Sequence, residues 1–142
     1  MEGTVMPFDV IDHTADTGIR VWAPDMPSLA SEAARGMYEQ ITDTESLKPI
    51  EVRTIAVEGI DPTDLMINML RELLYLFTGE GRLVQHVEVD SMEETAMAAY
   101  AYCEAFDPER HEIRTEIKAV TYAGGDVQKT PDGFEITVIF DI

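Results

Sequence analysis

The sequence has only one cysteine, Cys103, and so no pair from which an internal disulfide could form. This argues against a disulfide-stapled secreted protein. The longest apolar stretch, 65–77, is interrupted by polar residues and is shorter than the ~20 apolar residues that cross a bilayer. The first residues also lack the basic and apolar regions of a signal peptide. We therefore expect a cytoplasmic protein that makes no contact with a membrane.

Basic residues are also scarce. Ten Lys and Arg stand against 28 Asp and Glu, which leaves a formal net charge of −18. Strong nucleic-acid binding depends on basic side chains that neutralise phosphates, so we expect no strong direct binding of nucleic acid. An acidic surface suits a basic protein partner or divalent cations. The same excess of acid would also maintain solubility in a saline cytoplasm, and composition leaves both explanations open.

Two segments have the periodicity of helices. Apolar residues recur every four positions over 29–41, after a predicted turn at 24–27, and Ser28 is the predicted N-cap. The second helix is predicted to begin at Asp61-Pro62, an N-cap followed by a proline at the first helical position. Gly79 is predicted to end it. Its broad apolar face predicts that this second helix forms the centre of the core.

Strands are predicted where apolar and polar residues alternate or where short apolar runs lie between turns, over 18–23, 51–58, 83–90 and 134–141. The alternation places Asp141 on the side of the last strand opposite the buried Phe140. Residues 95–105 fit either a helix, through their alanines, or a strand, through Tyr100 and Tyr102. Residues 116–122 fit a strand or a short helix. The result is one α+β domain over residues 1–142, with mainly antiparallel sheet and two principal helices.

A run of seven residues, Asp12-His13-Thr14-Ala15-Asp16-Thr17-Gly18, is the first candidate site. Its carboxylates either cap turns or bind a hard cation, because calcium, magnesium and manganese take oxygen ligands. The second candidate is Asp141-Ile142, where a strand-borne carboxylate is followed by the main-chain carboxylate of Ile142. If the first and last strands pair, Asp16 and Asp141 converge.

Other motifs are missing from the sequence. It contains no Ser-His-Asp arrangement, no phosphate-binding glycine loop and no zinc spacing, and we assign no catalytic residue. Cys103 is expected to be buried, and His86 and His111 are expected to be structural or on the surface. Lys118 lies in an apolar segment, where a surface lysine with a buried stem is the simpler interpretation.

Several blocks of the sequence, which include both candidate sites, resemble the archease family. The resemblance runs through residues 12–19, 37–43, 64–77, 107–111 and 116–122, and it ends at Asp141-Ile142. The blocks fall in the same order from end to end and cover nearly the whole chain. The resemblance implies an archease fold in which 95–105 is a strand, and we adopt that assignment over the helical propensity of its alanines.

The resemblance implies an activator of RtcB-type RNA ligase in tRNA splicing, rather than an enzyme. Such a protein promotes GTP-dependent guanylylation of the ligase and its multiple turnover. The implied metal ligands are Asp16, Asp141 and Ile142 through its carboxylate, with Asp12, His13 and Lys118 in support. The implied cofactor is a divalent metal ion, calcium first, with magnesium or manganese as alternatives.

Three alternatives remain at this point. The chain could be a chaperone for a tRNA cytosine methyltransferase, a function described for some members of the family that it resembles. It could be a metal-dependent phosphohydrolase, although no general base, nucleophile or basic phosphate clamp is evident. The metal could also be purely structural, in which case loss of Asp16 would lower thermal stability and leave partner activation intact.

Overall fold

The computed structural model describes residues 7–12 and 16–142. Eight strands and two α-helices follow one another in these ranges: β1 Phe8–Asp12, β2 Asp16–Ala23, α1 Met26–Ile41, β3 Glu51–Glu58, α2 Pro62–Thr78, β4 Arg82–Met92, β5 Ala96–Ala105, β6 Ala119–Thr121, β7 Gln128–Thr130 and β8 Gly133–Asp141. A short 3-10 helix, Thr44–Ser46, follows α1.

The strands form two antiparallel sheets. The first has the order β1-β2-β8-β6, with β7 also paired to the beginning of β8. The second has the order β3-β5-β4. The helix α1 contacts β2 and β4, and α2 contacts β3, β4 and β6, so the two helices form a layer that joins the sheets. The α+β class, the antiparallel pairing and the two principal helices predicted from the sequence are confirmed.

The core lies between the helices and the inner faces of the sheets. Eight apolar residues of α2 are buried, and Leu65, Met66 and Leu70 have no exposed surface. On β8, Ile136, Val138 and Phe140 are buried, as the alternation predicted. Within the described residues, no helix is both long and apolar enough to cross a membrane.

The helix ends confirm one prediction and correct another. Asp61 caps α2 by accepting a hydrogen bond from the main-chain N–H of Asp64 at 2.8 Å, and Gly79 ends the helix. The N-cap of α1 is Asp25, not Ser28, because the carboxylate of Asp25 accepts from the N–H of Ser28 at 2.8 Å. The predicted turn at 24–27 is therefore partly wrong, since α1 already begins at Met26.

Of the remaining strand predictions, one is confirmed and two are corrected. The ambiguous residues 95–105 form β5, as the family resemblance implied. Residues 116–122 contain only the three-residue β6, and no helix. The strand expected from Gly18 begins two residues earlier at Asp16, and it is preceded by β1, which the sequence analysis did not predict.

Candidate functional site

The central feature of the first sheet is a pair of carboxylates at the ends of β2 and β8. Asp16, the first residue of β2, is the direct cross-strand partner of Asp141, the last residue of β8. Ala119 of β6 is the partner of Asp141 on its other side. Directly opposite residues in an antiparallel pair point to the same face, about 5 Å apart at Cβ. The structure thus brings Asp16 and Asp141 together, on the face away from the buried Phe140.

The electrostatics of this pair are unfavourable without a cation. Like charges directly opposite each other destabilise a sheet. Among the described residues, Oδ1 of Asp16 is also buried and accepts no hydrogen bond. An unsatisfied buried oxygen costs on the order of 1–3 kcal/mol. A hard divalent cation would offset both costs, because two carboxylates are the donors that calcium, magnesium and manganese prefer.

The described residues supply only part of a coordination shell. Among the described side chains, which do not include those of 12–15, no three His, Cys, Asp or Glu come together as a group that could hold a metal ion. Calcium takes six to eight oxygen ligands. A cation at the Asp16–Asp141 pair would therefore also need ligands beyond these described side chains, such as main-chain oxygens, water, or oxygens of a partner.

Gly18 keeps the neighbouring row of the sheet closely packed. The row runs across β1, β2, β8 and β6 through Ile11, Gly18, Ile139 and Thr121. A Cβ atom on Gly18 would lie 2.6 Å from the carbonyl oxygen of Val138 and 2.8 Å from Cδ1 of Ile139. The last residue of the Asp12–Gly18 run is therefore a glycine for a steric reason, two residues from Asp16.

Thr17 lies beside Asp16 on the opposite face of β2, where the family that the sequence resembles often has an apolar residue. Its side chain is buried. The hydroxyl donates to the carbonyl oxygen of Ile11 at 3.0 Å, which links β2 to β1 next to the carboxylate pair. A polar residue is tolerated here because its hydrogen bond is satisfied locally.

The remaining residues that the resemblance implies for the site have different surroundings. The main-chain N–H of Lys118 donates to the carbonyl oxygen of Asp141 at 2.8 Å, while its side chain is exposed. Ile142 follows Asp141 directly and is 37% exposed. The backbone of Asp12 pairs with Thr17. The side chain of Asp12 and the whole of His13 lie outside the described residues.

Arg71 of α2 holds the strand that flanks Asp141. Its Nε and Nη2 atoms donate to the carbonyl oxygen of Val120 on β6 at 3.1 and 3.0 Å. The guanidinium also lies 4.8 Å from the ring centre of Tyr122, whose hydroxyl donates to Asp64. That hydrogen bond, followed by one from the N–H of Ile60, holds the pKa of Asp64 below its usual value. Sequence analysis missed Arg71, and its only signal was a cation in an otherwise apolar segment.

A second polar cluster surrounds the buried carboxylate of Glu104. It accepts from the main-chain N–H of Lys48 at 2.8 Å, lies 3.1 Å from Nε2 of His111 and pairs with Arg110. Nδ1 of His111 accepts from the N–H of Asp107 at 2.9 Å, which assigns the ring proton to Nε2. Burial first, and then the charge of Arg110, lower the pKa of His111. Sequence analysis expected His111 to be structural or exposed, and gave no signal for Glu104.

The two remaining candidates have structural surroundings. Cys103 is fully buried, as expected, and burial raises the pKa of its thiol. The ring of His86 stacks on Tyr102 with centroids 4.6 Å apart. Its Nδ1 lies 3.1 Å from the side-chain oxygen of Gln85. The burial of Cys103 and these contacts of His86 are both structural.

Comparison with known proteins identifies the family of the chain. Residues 8–142 match the model of the Archease protein family (MTH1598/TM1083), which is nearly the whole chain. The chain belongs to the archease family. The resemblance inferred from the sequence is therefore confirmed.

Relatives in several organisms are similar over most of their length. The archease of Methanopyrus kandleri is 33% identical over 140 residues, covering 96% of this chain and all of that protein. The archease of Saccharolobus islandicus strain M.14.25 is 37% identical over 139 residues, covering 95% and 98%. The archease of Pyrococcus abyssi is 36% identical over 126 residues, covering 86% and 88%.

Two solved structures share the architecture. The solution structure of Methanobacterium thermoautotrophicum protein 1598 superposes with a TM-score of 0.81 at 26% identity, over 97% of this chain and all of that one. The crystal structure of an archease from Thermotoga maritima, described as a possible chaperone, has a TM-score of 0.65 at 19% identity, over 100% and 98%. The second likeness concerns the fold alone.

Proposed function

We propose that this archease-family chain is a non-catalytic activator of an RtcB-type RNA ligase in tRNA splicing. In this proposal it promotes GTP-dependent guanylylation of the ligase and supports its multiple turnover. The observation that carries the proposal is the pairing of Asp16 with Asp141, in which Oδ1 of Asp16 is buried without a hydrogen-bond partner among the described residues. Membership of the archease family supports the same assignment.

The carboxylate pair is proposed to hold a divalent cation, calcium first, with magnesium or manganese as alternatives. Asp16 and Asp141 are the side-chain ligands, and where the chain ends at Ile142 its main-chain carboxylate is the third. Asp12, His13 and Lys118 are proposed to support the site. When bound, the cation supplies positive charge that attracts and polarises phosphate oxygens.

The contribution of the chain itself is position and charge. The net charge of −18 attracts a ligase whose active-site cleft is basic enough to bind GTP and RNA. Asp16 and Asp141 are fixed by the ladder between β2 and β8, so their carboxylates reach the partner already oriented. Preorganisation of this kind lowers the entropic cost of arranging a reactive site. Binding and orientation are therefore the proposed functions of these residues.

The test is guanylylation of the purified ligase with GTP and manganese, measured with and without this chain. Wild type should accelerate the reaction at least tenfold. Asp16→Ala and Asp141→Ala, each checked for folding, should not. Glu135→Ala on the same strand, beside Trp22 rather than the pair, is the matched control and should activate fully. The isolated chain with GTP and manganese should release no phosphate, and release lost in Asp16→Ala would favour a phosphohydrolase.

Two results would overturn parts of the proposal. Full activation by folded Asp16→Ala and Asp141→Ala would show that the pair is not needed. If wild type changes neither guanylylation nor multiple-turnover ligation, the ligase is not the partner. A purely structural metal would lower the thermal stability of the variants and leave activation unchanged.

A second candidate is a chaperone for a tRNA cytosine methyltransferase. The observation that favours it is the description of the Thermotoga maritima archease as a possible chaperone. Pull-down of the purified ligase and of the purified methyltransferase by the same immobilised chain separates the two. Retention of the methyltransferase alone, with suppression of its aggregation on heating, would favour this second function.

A further inference from the structure

A cleft opens at the end of β8 that is far from the carboxylate pair. It has two adjoining parts of about 460 and 200 Å³, both lined by Met26, Pro62 and Glu94. Phe134 lines the larger part and lies seven residues before Asp141 on the same strand. At about 3.3 Å per residue, the cleft is about 23 Å from the carboxylates along β8.

The walls of the cleft are apolar and adaptable. Met26, Val127 and Phe134 line the larger part, and Met92 lines the smaller one. All four side chains are partly buried, with one side packed on the core and the other towards the cleft. Methionine side chains are flexible and polarisable, so they pack around apolar groups of different shapes. Such walls accept an apolar side chain from another molecule.

The rim of the cleft is acidic. Glu93, Glu94 and Asp126 are exposed carboxylates at its edge, and Lys129 is the cation that lines it. Val127 is anchored by its N–H, which donates to the hydroxyl of Thr63 at 2.9 Å, so the wall and this part of the rim are held to α2. An apolar floor with a negative rim complements an apolar side chain flanked by positive charges.

We propose that this cleft binds a basic amphipathic segment of a partner protein. An apolar side chain such as leucine enters between Met26 and Met92, and neighbouring lysine or arginine side chains lie against Glu93, Glu94 and Asp126. Because the cleft is about 23 Å from Asp16 and Asp141 along β8, a segment bound there leaves the carboxylate pair uncovered. The chain then holds a partner with one end and presents its carboxylates with the other.

The first test uses full-length protein with ¹³C-methyl methionine and a synthetic helical peptide of leucine and lysine. The methyl resonances of Met26 and Met92, assigned through single Met→Leu variants, should shift on titration. Those of Met37, Met66 and Met69, which are fully buried, should not. A peptide with serine in place of leucine and the same charge should bind at least tenfold more weakly. Equal affinity for both peptides would overturn the proposal, as would shifts that spare Met26 and Met92.

A pair of charge-matched variants separates the cleft from the general acidity of the chain. Glu93→Gln/Glu94→Gln removes two charges from the rim, and Glu72→Gln/Glu109→Gln removes two from exposed positions elsewhere. The rim variant should weaken binding of the leucine–lysine peptide at least fivefold, and the control less than twofold. Equal weakening would mean that the peptide responds only to net charge, and the cleft would then not be its site.

Discussion

Replacement of Asp16 by asparagine should have opposite effects on stability in the absence and in the presence of calcium. In a chelator, Asp16→Asn removes the repulsion between two carboxylates that face each other across β2 and β8. Such like-charge pairs cost about 0.2–1 kcal/mol. For a chain of this length about 1 kcal/mol shifts the melting temperature by roughly 3–4 °C. We therefore expect the variant to melt about 1–4 °C above wild type.

Calcium should reverse this order. A ligand that binds only the folded state at one hundred times its Kd stabilises that state by about 2.7 kcal/mol. Wild type should then melt about 8–11 °C higher than in the chelator, by the same conversion. The variant lacks one of the two paired carboxylates and should gain much less.

The assay is thermal unfolding followed by circular dichroism, in EDTA and in a calcium series, with magnesium and manganese series in parallel. Glu135→Gln, at the other end of β8, is the control and should respond to calcium as wild type does. Two results would refute the reasoning: a variant that is clearly less stable than wild type in EDTA, or calcium that raises both melting temperatures equally.

Three further predictions concern the surroundings of the pair. Gly18→Ala should lower the free energy of unfolding by about 1–3 kcal/mol, because its Cβ would lie 2.6 Å from a main-chain oxygen. Urea titration measures this, and an unchanged midpoint would contradict the close packing at Gly18. Arg71→Met should lower the free energy of unfolding by about 1–2 kcal/mol, because two hydrogen bonds to Val120 are lost. Amide hydrogen exchange should accelerate more in β6 than in β4, and an equal increase in both strands would argue against a local effect of Arg71. Because the pKa of His111 is lowered in the folded chain, the unfolded chain binds more protons at acid pH. The free energy of unfolding should therefore be at its full value above about pH 6.5 and should fall as the pH decreases below that value. His111→Gln should flatten that decline in urea titrations between pH 7.5 and 5.5, and an equally steep decline in the variant would exclude His111 as its source.

Local signals in the sequence were sufficient for much of the fold. Asp61-Pro62 and Gly79 bound α2 correctly because caps act within one turn of the helix. Ser28 was the wrong cap for α1 because Asp25 is also a good cap and Pro27 is compatible with the first helical turn. The strand β1 was missed because its five residues carry little alternation, and pairing with β2 is what makes it a strand.

The carboxylate pair could be predicted from the sequence for a different reason. Asp141 is adjacent to a buried phenylalanine, so its direction followed from strand alternation, and only the pairing of two strands had to be assumed. Glu104 and Arg71 gave no such signal. Their partners, Lys48 and Val120, are 56 and 49 residues away, and no local pattern indicates a contact at that separation.

The position of β8 in the chain has a consequence for synthesis. Residues 51–105 are consecutive and contain the whole second sheet together with α2, so this segment can fold while the residues after it are still being translated. The first sheet cannot, because β2, β6 and β7 all pair with β8, which leaves the ribosome after all three. We expect β2 to remain without its β8 partner while more than one hundred further residues are synthesised. The pairing of β8 that completes the sheet also brings Asp16 to Asp141, so a chain stopped before β8 has neither.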